Sequence, residues 1–234
     1  MDASRSHASF SPTPMLRKFI STSSRLAERT NLSFHPSFFS LAEQRVLLNA
    51  ALHKLDAMES GAHRRKRKAF IRASNYSPEN TKTLQEMFLP DEYYEFHEGH
   101  YDGVITNYRE MHLSSWPTSD FSDLPPILER LHALLPSQDT QTHLLHLASD
   151  GEIRPHVDNT AASGTWILGC SLGADRVLRM ENEGGDDVFT LPLPSGSVYI
   201  QRDELRFNYK HSILLGDGGQ RLSIMIRDRI SASN

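Results

Sequence analysis

The sequence predicts a mainly β fold with flanking α-helices: an antiparallel jelly-roll barrel carried on helical support. Three observations predict it. The C-terminal half holds about eight short runs of strand character, clusters rich in Gly, Asp and Ser separate those runs, and helical periodicity is confined to the N-terminal half.

In chain order, Ser40-Leu41-Ala42-Glu43 has the pattern of a capping box, and Leu48, Leu52 and Leu55 then fall on one helical face through about Met58. A weaker helix is expected over residues 79–88. Another follows Asp123, with Pro125 and Pro126 in its first turn and Ile127, Leu131 and Leu134 on one stripe. Strands are expected over 142–148, 153–157, 165–172, 176–181, 188–193, 197–201, 210–214 and 221–228, with turns such as Ser149-Asp150-Gly151 and Gly216-Asp217-Gly218-Gly219 between them. The helices should buttress the outer face of the barrel. This gives a single domain over 32–234, with helical support at about 32–140 and the catalytic barrel at about 141–230.

A hydrophobic content of 38% suffices for one core, and no apolar run is long enough to span a bilayer, so stable membrane insertion is not expected. The expected state is a monomer. The single cysteine, Cys170, lies in an apolar strand, cannot form an intrachain disulfide, and reads as a small buried hydrophobe. Residues 1–31 are expected to be a disordered targeting segment. Met15 to Ala27 is basic, hydroxyl-rich and free of acids, the composition of a mitochondrial transit peptide, and Met15 is a candidate second start. The alternatives are simple terminal disorder and, from Arg64-Arg65-Lys66-Arg67-Lys68, a nuclear signal or a nucleic-acid contact; such runs are more often solvated loops or helix ends.

The chemistry is concentrated in His156-Val157-Asp158. Residues two apart on a strand share a face, so His156 and Asp158 can reach one metal from a single segment, and His211 on a later strand supplies a third ligand. Two imidazoles and a carboxylate make the facial triad of non-haem Fe(II) oxygenases, which leaves positions for a cosubstrate and O2. His100-Tyr101-Asp102 repeats the spacing, but in a polar stretch with no following array of strands. In Arg221 to Arg227, Leu222, Ile224 and Ile226 alternate with Arg221, Ser223, Met225 and Arg227, so both arginines share a face with their Cα atoms about 20 Å apart. Guanidinium groups inside a barrel require anions, and a five-carbon dicarboxylate such as 2-oxoglutarate fits between them.

The run Gly151 to Asp158, then Gly196 to Ile200, then Tyr209 to Leu214, then Arg221 to Arg227 resembles the AlkB group of Fe(II)/2-oxoglutarate dioxygenases, with similarity reaching upstream through Tyr94-Glu95-Phe96 and Tyr108-Arg109-Glu110. The resemblance implies a double-stranded β-helix with iron on His156, Asp158 and His211. It also implies that Arg221 holds the distal carboxylate of 2-oxoglutarate, Arg227 sits near the metal-binding end, and Tyr199 helps hold the cosubstrate. Members acting on nucleic acids carry Asn-x-Tyr where this chain has His143 and Leu145, and His143 is assigned to the cosubstrate site, with a core or surface histidine as its competitor. The implied activity decarboxylates 2-oxoglutarate while hydroxylating an unidentified substrate. A protein side chain comes first and a methylated RNA base second; a sensor without turnover is the alternative. A net charge of −4, with five acids between Asp91 and Asp102, disfavours a long phosphate-binding surface. The resemblance further implies roles in fatty-acid metabolism and regulated necrosis in the mitochondrial matrix.

Overall fold

The Ser40 side chain accepts a hydrogen bond from Glu43 N (3.4 Å) and Glu43 Oε2 accepts one from Ser40 N (2.8 Å), the reciprocal cap that starts helix α1 (Leu41–Met58). Glu43 also reaches across to Arg130 (2.6 Å), whose guanidinium holds its carboxyl down to about 2, on helix α3 (Leu124–His132). The computed structural model describes residues 29–78, 81–159, 164–216 and 218–229, and Asn31–Asn234 make one unit. The expected targeting segment lies almost wholly outside the described residues.

Among the described residues, ten strands form one curled antiparallel sheet: β1 (Leu32–His35), β2 (His97–Gly99), β3 (Ile105–Leu113), β4 (Thr140–His156), β5 (Trp166–Gly173), β6 (Arg176–Asn182), β7 (Val188–Leu193), β8 (Val198–Arg202), β9 (Tyr209–Leu214) and β10 (Arg221–Asp228). Hydrogen bonding runs β1-β8-β5-β10-β4-β9-β6-β7, with β3 also on β4 and β2 on β3. This is the jelly-roll, double-stranded β-helix architecture expected from the sequence.

Alternation along β10 decides what each face holds. Leu222, Ile224 and Ile226 are opposite Leu172, Cys170 and Leu168 of β5, and this apolar face packs on Leu47, Leu48 and Leu55 of α1 and Leu124, Ile127 and Leu131 of α3. The helices thus buttress the sheet, as periodicity implies. Cys170 is free, and burial pushes its thiol up to about 12. The opposite face carries Arg221, Ser223, Met225 and Arg227 into the interior of the curl.

Four differences from the sequence reading have physical causes. The two strands expected over 142–148 and 153–157 are one strand, β4. Ser149-Asp150-Gly151 forms a bulge opposite Asn107 rather than a hairpin: Tyr108 pairs with Leu147 but Thr106 with Glu152, and Asn107 has φ 48°. Asp91 accepts from Ser149 N (3.0 Å) and Oγ (3.2 Å), Asp150 accepts from Asn107 Nδ2 (3.1 Å), and a Cβ at Gly151 would lie 2.6 Å from the Asn107 carbonyl oxygen. The helix expected over 79–88 is, within its described part, only a 3₁₀ turn at Gln85–Met87, preceded by a segment that Arg45 holds through Thr81 O and Oγ1.

Strands β1, β2 and β3 were not anticipated. On β3 the alternation is hidden because Arg109, which faces the helix side, is charged. Its guanidinium is buried on Asp56 (2.8 Å) and Glu59 (2.5 Å), with Nε donating to His146 Nδ1 (2.9 Å). The basic run is also more than a solvated end. It sits in helix α2 (Gly61–Ser74), where Arg67 is buried in ion pairs with Asp56 and Glu59 while Arg64, Arg65, Lys66 and Lys68 stay exposed. No helix among the described residues is long and apolar enough to cross a membrane.

Since Ile224 seals the sheet against both helices, Ile224→Ala should lower stability by about 2–5 kcal/mol, read as a reduced midpoint in urea at unchanged slope. A loss below about 1 kcal/mol would mean that the helices are not essential to this face.

Candidate metal centre and anion pocket

His156 ends β4 and is the direct partner of His211 in the β4–β9 pairing, so the bulge that releases β4 from β10 and delivers it to β9 also brings these two imidazoles together, with centroids 4.2 Å apart. Asp158 follows in extended chain. One donor atom from each of His156, Asp158 and His211 lies within 4.8 Å of the others, and this is the one such cluster of three or more His, Cys, Asp or Glu among the described residues. His100 instead pairs with its own Asp102 (2.8 Å).

Polarity within the cluster suits a cation. His156 Nδ1 donates to the Arg154 carbonyl (2.8 Å), which turns Nε2 toward Asp158 Oδ1 (3.3 Å). Burial resists a proton on His156, but the Asp158 carboxylate and the Arg154 carbonyl outweigh it and raise its pKa. Burial likewise opposes the charge of Asp158, yet the bond to His156 and the charge of Arg227 hold it well below the carboxylate range. Burial takes His211 down to about 4, leaving a neutral imidazole with its lone pair available. A neutral imidazole, an ionised carboxylate and a second imidazole whose tautomer is fixed are the donor set that a divalent iron takes.

Arg227 reaches this centre, with Nη2 3.4 Å from Asp158 Oδ2. Arg221, six residues back on the same face, is fully buried. Its Nε donates to Ser171 Oγ (2.9 Å), and no carboxylate of the described residues pairs with it. Burial lowers its pKa to about 10. Tyr199 on β8 is buried, which raises its hydroxyl pKa, and it pairs with Gly169, itself the partner of Met225 between the two arginines of β10. Its ring fits because β5 offers Gly169 as its partner: a Cβ there would lie 2.5 Å from Tyr199 Cε1. Several interior polar atoms have no hydrogen-bond partner, among them Ser197 Oγ, Gln201 Oε1 and Arg227 Nε. A cationic, polar and buried chamber of this kind fits a dicarboxylate.

His143 is on the same inner face, opposite Met225 and His112, but its ring is engaged elsewhere: Nε2 is 3.1 Å from Glu110 Oε2, and it stacks on His112 at 4.6 Å and 9°. That bond to His143 holds the Glu110 carboxyl below its usual range. Sequence reading missed Glu110 and His112, which the register of β3 adds to the inner wall. It also missed Arg206, in the short helix α4 (Asp203–Phe207). Arg206 is 1% exposed and donates to the carbonyls of Asp158 (3.2 Å) and Asn159 (3.4 Å), pinning the chain that carries the Asp158 carboxylate. Five residues before His211, it carries no spacing that would have marked it.

Comparison with known proteins agrees with this chemistry. The chain is 32% identical to mouse alpha-ketoglutarate-dependent dioxygenase alkB homolog 7, mitochondrial, over 55% of this chain and 63% of that protein. It is 29% identical to the bovine protein of the same name over 68% and 77%. The chain thus spans just under two thirds of the mouse protein's length. The solved structure of OsALKBH1 superposes with a TM-score of 0.52 at 16% identity, covering 86% of this chain and 99% of that one, a likeness of fold. The profile of the 2OG-Fe(II) oxygenase superfamily matches residues 31–227, a span that takes in both imidazoles, the carboxylate and both arginines. Matched along most of its length, the chain belongs to the 2OG-Fe(II) oxygenase superfamily, whose Fe(II), 2-oxoglutarate and O2 are the partners that this donor set and anion chamber fit.

Proposed function

We propose that this chain is a mitochondrial 2-oxoglutarate-dependent dioxygenase that hydroxylates a protein side chain. The convergence of His156, Asp158 and His211 within 4.8 Å at one end of the anion chamber carries the proposal. In it, His156, Asp158 and His211 hold Fe(II), Arg221 takes the distal carboxylate of 2-oxoglutarate, and Arg227 with Tyr199 orients the end nearer the metal. Bound Fe(II) would supply the chemistry by which 2-oxoglutarate, O2 and a C–H bond become succinate, CO2 and a C–OH group. The protein's own part is to fix these groups beforehand. Arg206 holds the Asp158 backbone, Arg154 fixes the His156 tautomer, and Ser171 orients the Arg221 fork.

The character of the inner wall supports a protein substrate over a nucleic acid. Glu110 lies on it, Asp102 is near enough to raise the pKa of His156, and both would repel a phosphodiester. Oxidative demethylation of RNA is the second reading, supported by the four exposed cations of α2. Both similar mammalian proteins are named mitochondrial, which supports that location for this chain; the resemblance extends the proposal to the matrix and to fatty-acid metabolism and regulated necrosis.

Anaerobic addition of Fe(II) and 2-oxoglutarate to purified protein should give a visible charge-transfer band, and admission of O2 should give succinate. No band from folded protein would end the assignment. Asp158→Ala should abolish both signals while the fold survives. Arg221→Ala should weaken 2-oxoglutarate roughly tenfold to a hundredfold, the worth of a charge-assisted hydrogen bond, with metal affinity little changed. Equal loss of both would point to misfolding. Arg206→Met should do the reverse, lowering affinity for Co(II) about 10- to 100-fold by titration calorimetry, as loss of a residue that orients a ligand does. Unchanged Co(II) binding would remove Arg206 from the site. Neutralising Arg64, Arg65, Lys66 and Lys68 should leave turnover intact; a fall in salt-sensitive RNA binding would favour the second reading.

A further inference from the structure

Arg176 opens β6 on the face that carries Leu178 and Met180 and is 2% exposed. Its Nη2 donates to the Gly219 carbonyl (2.8 Å), whereas Nε and Nη1 are buried without a hydrogen-bond partner. No carboxylate of the described residues pairs with it, so a guanidinium is carried inside with most of its donors unused, an arrangement that desolvation makes costly unless an anion arrives.

Its place is specific. Gly219 is two residues before Arg221, whose own guanidinium Nε rests on Ser171. Ser171 is tied by its backbone to Ser197 (3.0 Å), and the Ser197 hydroxyl is fully buried and also unpartnered. Arg176 is near enough to Arg221 for its charge to help lower the Arg221 pKa, after burial and against the raising influence of Tyr199. The end of the interior remote from the triad therefore holds two like charges and an unused hydroxyl. The triad end is about 20 Å away along β10, where Arg227 meets Asp158.

Building on the dioxygenase reading, we propose that Arg176 is a second anchor for the distal carboxylate of the cosubstrate, so that Arg176, Arg221 and Ser197 form one pocket that selects 2-oxo acids bearing a distal carboxylate. A carboxylate accepts about four hydrogen bonds, and one guanidinium edge fills only half of them. Arg221 takes one side, one of the unused Arg176 donors takes another, and Ser197 Oγ donates a third contact. The bound anion relieves the repulsion between the arginines, which makes affinity depend on distal charge more steeply than a single guanidinium would.

The test is calorimetric titration of 2-oxoglutarate, and of 2-oxobutyrate, which lacks the distal carboxylate, into Mn(II)-loaded full-length protein. Arg176→Gln should raise Kd for 2-oxoglutarate roughly tenfold to a hundredfold and leave 2-oxobutyrate unchanged, with Arg176→Lys falling between. Ser197→Ala, a smaller change suited to the case in which the arginine variants do not fold, should raise the 2-oxoglutarate Kd several-fold with the same selectivity. Unchanged 2-oxoglutarate affinity in a folded variant, or equal loss for both acids, would make Arg176 a structural pin for the Gly219 carbonyl and overturn the proposal. Failure of the unaltered protein to bind 2-oxoglutarate would instead sink the dioxygenase reading, so the two failures are distinguishable.

Discussion

Strand β4 is hydrogen-bonded to β10 from Thr140 to Leu147 and to β9 at Ile153 and His156, so a single segment belongs to both layers of the curl. The change of partner is enforced locally. Gly151 lets the chain come within contact distance of the Asn107 carbonyl, and Asp91 caps the freed amide and hydroxyl of Ser149. If β4 continued straight along β10, His156 would lie far from His211, and the three side chains could not meet. The candidate metal centre is thus a consequence of where one strand is allowed to leave its neighbour.

A second layer of control lies in the separation of charges across the sheet. The helix-facing side of β5, β8 and β10 is apolar, and a large polar cluster beside it, Arg109 of β3 with Asp56, Glu59 and Arg67, is internally paired. It continues through His146, whose Nε2 donates to Gln220 (2.9 Å), and Gln220 in turn donates to the Leu89 carbonyl (2.7 Å). This network meets β10 one residue before Arg221. Arg67 and Arg109 on the helix side find carboxylates within the fold, whereas Arg221 and Arg176 on the inner side find none among the described residues. The same residue type is structural where an acid waits beside it and ligand-seeking where none does.

Much of the site was legible because strand geometry is so regular. A two-residue spacing between His156 and Asp158, and alternation from Arg221 to Arg227, assign faces without knowledge of neighbours. His143 illustrates the limit. Its inner-face position follows from alternation on β4, but its engagement with Glu110 and His112 depends on the register of β3, a strand whose apolar signal is masked by Arg109. Arg206 and Arg176 were invisible for a related reason: each acts on a backbone carbonyl or an enclosed space that no sequence pattern encodes.

The sequence alone determined the architecture class, the helix starts at Ser40 and Asp123, the identity of the three side chains that the fold brings together and the shared face of the two arginines, all of which follow from local periodicity and helix-start signals. Tertiary structure decided that Ser149-Asp150-Gly151 is a bulge rather than a turn, that Arg67 is buried while its neighbours are exposed, and that Arg176 joins Arg221 at one end of the interior. These depend on which distant strand supplies a partner, and hydrogen-bond register between strands far apart in sequence is set by the closing of the whole sheet rather than by any one segment.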